Sequence, residues 1–228
     1  MLHLQNWPIF GFVIALEYSN RNFTLCGFTV IEKVKDDVAE ILAPSTEFLV
    51  EKRFTPDLLT MIGFVFNIGA AVLFGFGLYM WAGLTVLVAG IFDFLDGQVA
   101  RKGKTESKFG ALLDSTVDRY SEIFIWFGIA ISFIRADDLW TSSAVFFALA
   151  GSLMVSYVRA RIEGLGAECK VGFMQRPERI IAIGAGGVLA IVPLIGDIGL
   201  IVVVWAIALL GNFTAMERVI HFRKLTKS

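Results

Sequence analysis

Four aspartates lie in one of the most apolar parts of the chain, within residues 93–118: Asp93, Asp96, Asp114 and Asp118. An ionised carboxylate in hydrocarbon is unfavourable by a few kcal/mol or more, so such residues are rare there unless they are paired, bind a metal or line a polar cavity. A concentration of four therefore requires a cation close by.

The spacing of these aspartates indicates that they could share one cation site. Asp93 and Asp96 are three residues apart and lie on one face of a helix. Asp114 and Asp118 are four residues apart and do the same on a second helix. The polar hinge 101–108 would let the chain turn back, so that two antiparallel helices bring the carboxylates together. Oxygen ligands without Cys or His favour Mg, Mn or Ca over Zn.

The residues around the aspartates extend the pattern. Gly97 leaves the helix surface bare beside Asp96, where a ligand could approach the backbone. Arg101 follows one turn later and is placed to meet an anion. The sequence reads Asp, two residues, Asp-Gly, two residues, Ala-Arg, eight residues, Gly, three residues, Asp, three residues, Asp. This resembles, at all eight named positions, the signature of the CDP-alcohol phosphatidyltransferases, integral membrane enzymes of phospholipid synthesis.

The resemblance implies roles for the aspartates. Asp93, Asp96 and Asp114 would be metal ligands, and Asp118 would touch metal and act as the general base on an acceptor hydroxyl. Two divalent ions, Mg²⁺ or Mn²⁺, would clamp the diphosphate of a CDP-diacylglycerol-type lipid and stabilise departing CMP.

The resemblance also predicts the residues that bind the CDP moiety, which are Gly97, Arg101 and Gly110. The first apolar segment, near residues 56–73, begins with Pro56-Asp57, where the family usually has Pro-Asn. This departure puts in doubt any nucleotide contact from position 57.

A second group of residues concerns the acceptor: Ser156, Arg159, Arg176, Arg179 and Arg218. An arginine at the end of a span is often only a positive-inside anchor. Clustered on one side, however, these guanidinium groups favour a site for a phosphate monoester. The stretches SYVRAR and RPER look like the family branch that makes phosphatidylinositol phosphate or its archaeal counterpart. That branch implies inositol 1-phosphate as acceptor, with glycerol 3-phosphate as the alternative.

Composition independently indicates a membrane protein. Hydrophobic residues form 56% of the 228, the mean hydropathy is +0.71, and the net charge of −1 gives no support for nucleic-acid binding. We predict an all-α, six-transmembrane-helix bundle with an N-terminal amphipathic juxtamembrane helix. The predicted spans are approximately 56–73, 79–101, 107–134, 139–162, 177–195 and 198–222.

Charge predicts the orientation of this bundle. Most basic residues fall on one side, in 52–53, 101–108, 159–179 and 218–227, whereas the opposite connections carry Arg135, Asp137, Asp138 and Asp197. By the positive-inside rule, both termini and the aspartates face the cytoplasm, and a prokaryotic cytoplasmic membrane is expected.

Three regions are expected along the chain. Residues 1–29 form an uncertain extension, which is either poorly ordered or precedes the natural start. Residues 30–54 have apolar residues at helical spacing and form an amphipathic segment, lying on the membrane surface or packing against the bundle. Residues 55–224 form the phosphatidyltransferase domain.

Two further expectations complete the prediction. The resemblance implies a homodimer. A cation-coupled transporter is the alternative of another class, but its site would lie near the bilayer midplane between inverted repeats, and no such repeat is evident.

Overall fold

A computed structural model describes residues 37–169, 171–192, 194 and 196–226, and it forms no strand over these residues. The chain divides into two units, Met1–Ala43 and Pro44–Ser228, and every predicted site residue lies in the second. In the first unit, residues 37–41 are helical. The expectation for residues 1–29 lies outside the described residues.

From Ala43 onward, the described residues form seven α-helices and one 3₁₀ turn. They are α1 (Ala43–Glu51), α2 (Pro56–Gly75), α3 (Tyr79–Lys102), α4 (Lys108–Arg135), α5 (Leu139–Glu163), α6 (Arg176–Val188), the 3₁₀ turn (Leu189–Ile191) and α7 (Ile198–Leu225). Four of them, α2, α3, α5 and α7, are long and apolar enough to cross a bilayer. The predicted all-α class and the membrane-protein class are confirmed at this level.

The ends of the helices follow local sequence signals. Thr55 has extended backbone angles, its hydroxyl accepts the N–H of Leu58 at 3.4 Å, and Pro56 occupies the first helical position of α2. Ser107 caps α4 in the same way and accepts the N–H of Gly110 at 2.9 Å. The hinge that turns the chain between α3 and α4 therefore ends on a hydroxyl cap.

The prediction of a helix over 177–195 is wrong in its second half. Helix α6 ends at Val188, a 3₁₀ turn follows, and Val192 has extended angles (φ −86°, ψ 110°). Residue 193 is a proline, and the residue before a proline is disfavoured in the α conformation. Helix α6, at 13 residues, is consequently the shortest of the six predicted segments.

Packing places α2 against α3 and α4, α5 against α4 and α7, and α6 chiefly against α3 and α7. Helices α2 and α4 come unusually close, because Gly128 faces the backbone of Ala71 and any side chain there would collide with the Ala71 carbonyl. The core at this level includes the fully buried Trp126, Ile129 and Phe133 of α4. Helix α2 thus packs against both helices that carry the aspartates, α3 and α4.

Helix α1 lies in the predicted amphipathic segment. Pro44 stands near its beginning, so this proline starts a helix. The Phe48 side chain is exposed, and Lys102 at the end of α3 forms an ion pair of 3.3 Å with Glu47. An interfacial position for the segment stays a prediction.

Candidate active site

Three carboxylates from two helices meet at the centre of the site. Asp93 of α3 and Asp114 and Asp118 of α4 each offer an oxygen, and these oxygens all lie within 4.8 Å of one another. Asp118 is buried, while Asp93 and Asp114 are partly exposed. The structure thus brings together three of the four aspartates, from two helices that follow one another in the chain.

The fourth aspartate has a different partner. Asp96 is buried, and its carboxylate accepts the hydroxyl of Thr60 from α2 at 2.6 Å. Thr60 also lies 3.1 Å from the carbonyl of Pro56, one turn earlier in its own helix. The Asp96 carboxylate is therefore held toward α2, outside the group of three.

A cleft of about 180 Å³ opens beside these carboxylates. Asp96 and Asp114 line it together with all three residues predicted to bind the CDP moiety, which are Gly97, Arg101 and Gly110. The lack of a side chain at Gly97 leaves room for the Arg101 guanidinium, whose nitrogens would lie 3.4 Å from a Cβ at that position. Asp57 also lines the cleft, so the departure from Pro-Asn lies at this site.

Arg176 crosses from α6 to the carboxylates. One of its terminal nitrogens lies 2.6 Å from Asp93 and the other 2.5 Å from Asp118. Arg119 contributes a second, weaker contact to Asp118 at 3.2 Å. The sequence predicted a phosphate contact for Arg176, and the structure brings it to two of the predicted metal ligands.

Arg179, one turn later in α6, is fully enclosed. Two nitrogens of its guanidinium group contact the two carboxylate oxygens of Glu122 at 2.7 and 3.0 Å, and the third donates to the Met174 carbonyl at 2.8 Å. The Arg179 and Glu122 side chains are 0% and 1% exposed. All three nitrogens therefore have protein partners.

Arg218 of α7 is also buried and binds backbone. It donates to the carbonyl of Val171 at 2.9 Å and to that of Val155 in α5 at 2.5 Å. Gly172 lies against it with φ +110°, and a Cβ there would fall 2.4 Å from the Thr214 side chain. Arg218 thus ties the segment before α6 to α5 and α7.

The remaining predicted acceptor residues lie on α5. Ser156 is half-buried. Arg159 is exposed and pairs with Glu163 at 2.8 Å, one turn along the same helix. Arg159 and Arg179 both lie close enough to Arg218 to repel its charge. Positive groups from α5, α6 and α7 therefore lie near one another.

Sequence reasoning missed three polar residues of this region. Thr60 binds Asp96, and Glu122 binds Arg179. Asn67 is buried, and its Oδ1 has no hydrogen-bond partner among the described residues. The residue lines a small chamber together with Asp93 and Asp118. The sequence pattern could have indicated Glu122, because it follows Asp118 by four residues and lies on the helix face that carries Asp114. Thr60 and Asn67 stand in an apolar helix without a comparable pattern.

The residues present fit divalent metal. Carboxylate oxygens from two helices converge within the span of one coordination shell, and the cleft beside them is lined by further polar groups. The three grouped aspartates lie near the guanidinium groups of Arg176 and Arg119, which leaves an excess of negative charge for a cation to neutralise.

The family of the chain follows from comparison with known proteins. The family model for CDP-alcohol phosphatidyltransferases matches residues 53–212, which include every aspartate of the site. The chain belongs to this family, and it is therefore a membrane transferase of phospholipid synthesis. The family predicted from the aspartate pattern is confirmed.

Relatives within the family point to one branch. The archaetidylinositol phosphate synthase of Methanothermobacter thermautotrophicus is 40% identical over 167 residues, which are 72% of this chain and 81% of that protein. The phosphatidylinositol phosphate synthase of Cutibacterium acnes is 32% identical over 212 residues, or 87% of this chain and 100% of that protein. The predicted likeness to this branch is confirmed.

Solved structures of a protein from this branch are similar to this chain. The phosphatidylinositol phosphate synthase of Mycobacterium tuberculosis with CDP-DAG bound superimposes with a TM-score of 0.73 at 30% identity, covering 81% of this chain and 94% of that one. The same protein in complex with manganese and citrate gives a TM-score of 0.72, with 79% and 88% covered.

Proposed function

We propose that this protein transfers the phosphatidyl group of a CDP-diacylglycerol-type lipid to inositol 1-phosphate and releases CMP. The observation that carries this proposal is the group of three carboxylates within 4.8 Å of one another. The proposal is supported by relatives that are archaetidylinositol phosphate or phosphatidylinositol phosphate synthases and by a structural neighbour with bound CDP-DAG.

The aspartates form the metal-dependent part of the site. Mg²⁺ or Mn²⁺, two ions in the family pattern, would be held by Asp93, Asp114 and Asp118, with Asp96 at the edge of the cleft. When bound, the metal would neutralise the diphosphate and favour departure of CMP. The manganese complex of the mycobacterial neighbour supports this assignment.

Asp118 is the proposed general base. It takes the proton of the acceptor hydroxyl while the hydroxyl oxygen forms a bond to the phosphorus that carries the lipid. The P–O bond from this phosphorus to CMP breaks in the same displacement, and CMP leaves. Asp118 is the most buried of the three grouped carboxylates, which suits a residue that must meet the acceptor away from bulk water.

Two sets of residues bind the substrates in this proposal. Gly97, Arg101 and Gly110 seat the CDP moiety in the cleft that they line. The acceptor phosphate is received in the region of Ser156, Arg159, Arg176, Arg179 and Arg218. Within that set, Arg176 makes the direct phosphate contact. Arg179 and Arg218 shape the region, because their guanidinium groups are bound within the protein.

The membrane arrangement is part of the proposal. The 28-residue helix α4 and the short α6 would join the four apolar helices in a six-span bundle. Both termini and the site would then face the cytoplasm, residues 30–54 would lie at the membrane surface, and the protein would form a homodimer. Cysteine labelling from each side of sealed vesicles, at positions 104 and 137, tests the orientation. Labelling of position 104 from the outside of right-side-out vesicles would contradict it.

The function is tested with purified protein, CDP-diacylglycerol and either Mg²⁺ or Mn²⁺, by following CMP release and product mass. Inositol 1-phosphate, glycerol 3-phosphate, free inositol and serine are compared as acceptors, and EDTA removes the metal. We expect product only with inositol 1-phosphate and no CMP release with EDTA. Product with glycerol 3-phosphate instead would overturn the acceptor, and metal-independent CMP release would overturn the role of the aspartates.

A further inference from the structure

Two ion pairs connect α4 to α6 like the rungs of a ladder. The first rung joins Asp118 to Arg176 at 2.5 Å, and the second joins Glu122 to Arg179 at 2.7 Å. Asp118 and Glu122 are one turn apart on α4, while Arg176 and Arg179 are one turn apart on α6. The spacing of the carboxylates on one helix thus matches the spacing of the guanidinium groups on the other.

The two rungs differ in their surroundings. In the first rung, the Arg176 and Asp118 side chains are 17% and 10% exposed, and Arg176 also contacts Asp93. In the second rung, both side chains are almost completely enclosed. The first rung can therefore exchange partners with a ligand, whereas the second has no open side for one.

The second rung holds the beginning of α6 to α4. Helix α6 packs chiefly against α3 and α7, and its N-cap residue, Gln175, makes no side-chain cap hydrogen bond. Arg179 links this end of the helix to α4. Two of its nitrogens contact the Glu122 carboxylate on α4, and the third donates to the Met174 carbonyl just before the helix. Arg176 stands at the first position of the helix that this contact holds.

We propose that Glu122 is a positioning residue for the acceptor site, which acts through Arg179 to hold the first turn of α6 so that Arg176 reaches the acceptor phosphate. This inference rests on the proposed function, since it assigns the phosphate contact to Arg176. A bidentate pair of carboxylate and guanidinium fixes distance and angle together, which a single ion pair does not. Glu122 touches neither substrate.

The test compares Glu122→Gln, Glu122→Asp and Arg179→Lys with the wild type. The substitutions weaken the bidentate contact at either end, and the last two keep both charges. We expect KM for inositol 1-phosphate to rise about tenfold or more, because a small displacement of a positioned group has large effects. KM for the CDP-lipid should stay within about twofold of wild type.

Asn212→Ala is the matched structural control. Asn212 donates to the carbonyls of Phe147 and Ala208 and joins α7 to α5 without a contact to the site residues. Its loss should lower the temperature of unfolding without separating the two KM values. If Glu122→Gln cannot be purified, Glu122→Asp and Arg179→Lys carry the test.

The outcomes separate this inference from the proposed function. A selective rise in KM for the acceptor, smaller in Glu122→Asp than in Glu122→Gln, supports positioning. Equal changes in both KM values, or lower thermal stability with unchanged kinetic constants, would overturn it and leave Glu122 as a structural residue. Failure of the wild type to use any phosphorylated acceptor would instead overturn the proposed function.

Discussion

The carboxylates of α3 and α4 differ from the arginines Arg179 and Arg218 of α6 and α7 in the partners that surround them. Asp93, Asp114 and Asp118 crowd their oxygens together. Arg179 and Arg218, in contrast, are surrounded by carboxylate or carbonyl partners. Charged groups that repel one another favour a ligand of opposite charge, and charged groups with protein partners on every side hold the backbone.

Arg176 stands between these two classes. It is an arginine of α6, but its partners are two of the grouped carboxylates, Asp93 and Asp118. A residue in this position can give up its protein partners when ligands arrive, which Arg179 cannot do without leaving Glu122 as a buried, unpaired charge. The contacts of Arg176 are therefore exchangeable, whereas those of Arg179 are permanent. Substitutions of the two kinds of residue should have different effects.

The largest effect is expected at the carboxylates. Asp118→Asn should lower the rate of CMP release by about 10²–10⁴-fold, because the side chain keeps its size but can no longer accept a proton. Binding of the CDP-lipid, measured by equilibrium dialysis with labelled lipid, should remain.

Asp137→Asn is its matched control. Asp137 lies in the turn between α4 and α5 with φ +57°, a conformation that asparagine tolerates well. This variant should turn over like the wild type. Normal turnover by Asp118→Asn would show that the base is another group.

The second-largest effect is expected on the free energy of unfolding, when Arg179 is substituted. Arg179→Met should lower the free energy of unfolding by about 3–5 kcal/mol, since Glu122 would remain buried as an uncompensated charge. Thermal unfolding in detergent measures the loss. The double variant Glu122→Leu, Arg179→Met should recover most of it, because replacing both members of a buried pair by apolar residues is often neutral. A double variant as unstable as the single one would mean that the Met174 contact dominates.

Much of the fold and the centre of the site could be predicted from sequence. The three-residue spacing of Asp93 and Asp96 and the four-residue spacing of Asp114 and Asp118 fixed which side chains share a helix face, and the polar hinge fixed the reversal between the helices. Thr55 and Pro56 marked the start of α2. These are local signals, in which the residues that decide the structure are neighbours in the chain.

The partners of the charged groups could not be predicted in the same way. Arg179 pairs with Glu122 across 57 positions of sequence, and Thr60 pairs with Asp96 across 36. Such contacts depend on which helices pack together, and periodicity within one helix contains no such information. The end of α6 was missed for another reason: the apolar run continues past Val188, so that hydropathy alone gave no stop before the proline.

A smaller effect is expected at Arg176, the exchangeable arginine. Arg176→Gln should tighten Mn²⁺ binding by about fivefold or more, because a positive charge no longer competes for Asp93 and Asp118. The same variant should weaken binding of inositol 1-phosphate. Titration of Mn²⁺ by electron paramagnetic resonance, without the lipid substrate, measures the first change.

The control for Arg176→Gln is Arg135→Gln. Arg135 donates to the carbonyl of Gly75 at the other end of α4 and should leave Mn²⁺ affinity unchanged. Weaker Mn²⁺ binding in Arg176→Gln would indicate that Arg176 holds the carboxylates in place. Its contacts would then be permanent, like those of Arg179, and not exchangeable.

The smallest effect is expected at Thr60, where a carboxylate has one neutral partner. Thr60→Val keeps the shape of the side chain but removes the 2.6 Å hydrogen bond to Asp96. A net contribution of about 1 kcal/mol, typical of a single hydrogen bond, corresponds to a rise of about fivefold in KM for the CDP-lipid. Thr60→Ser, which keeps the hydroxyl, should behave like the wild type. If Thr60→Val instead leaves KM unchanged and lowers only thermal stability, then Asp96 is a structural carboxylate, and the ligand-binding set is limited to the three aspartates that meet at the centre of the site.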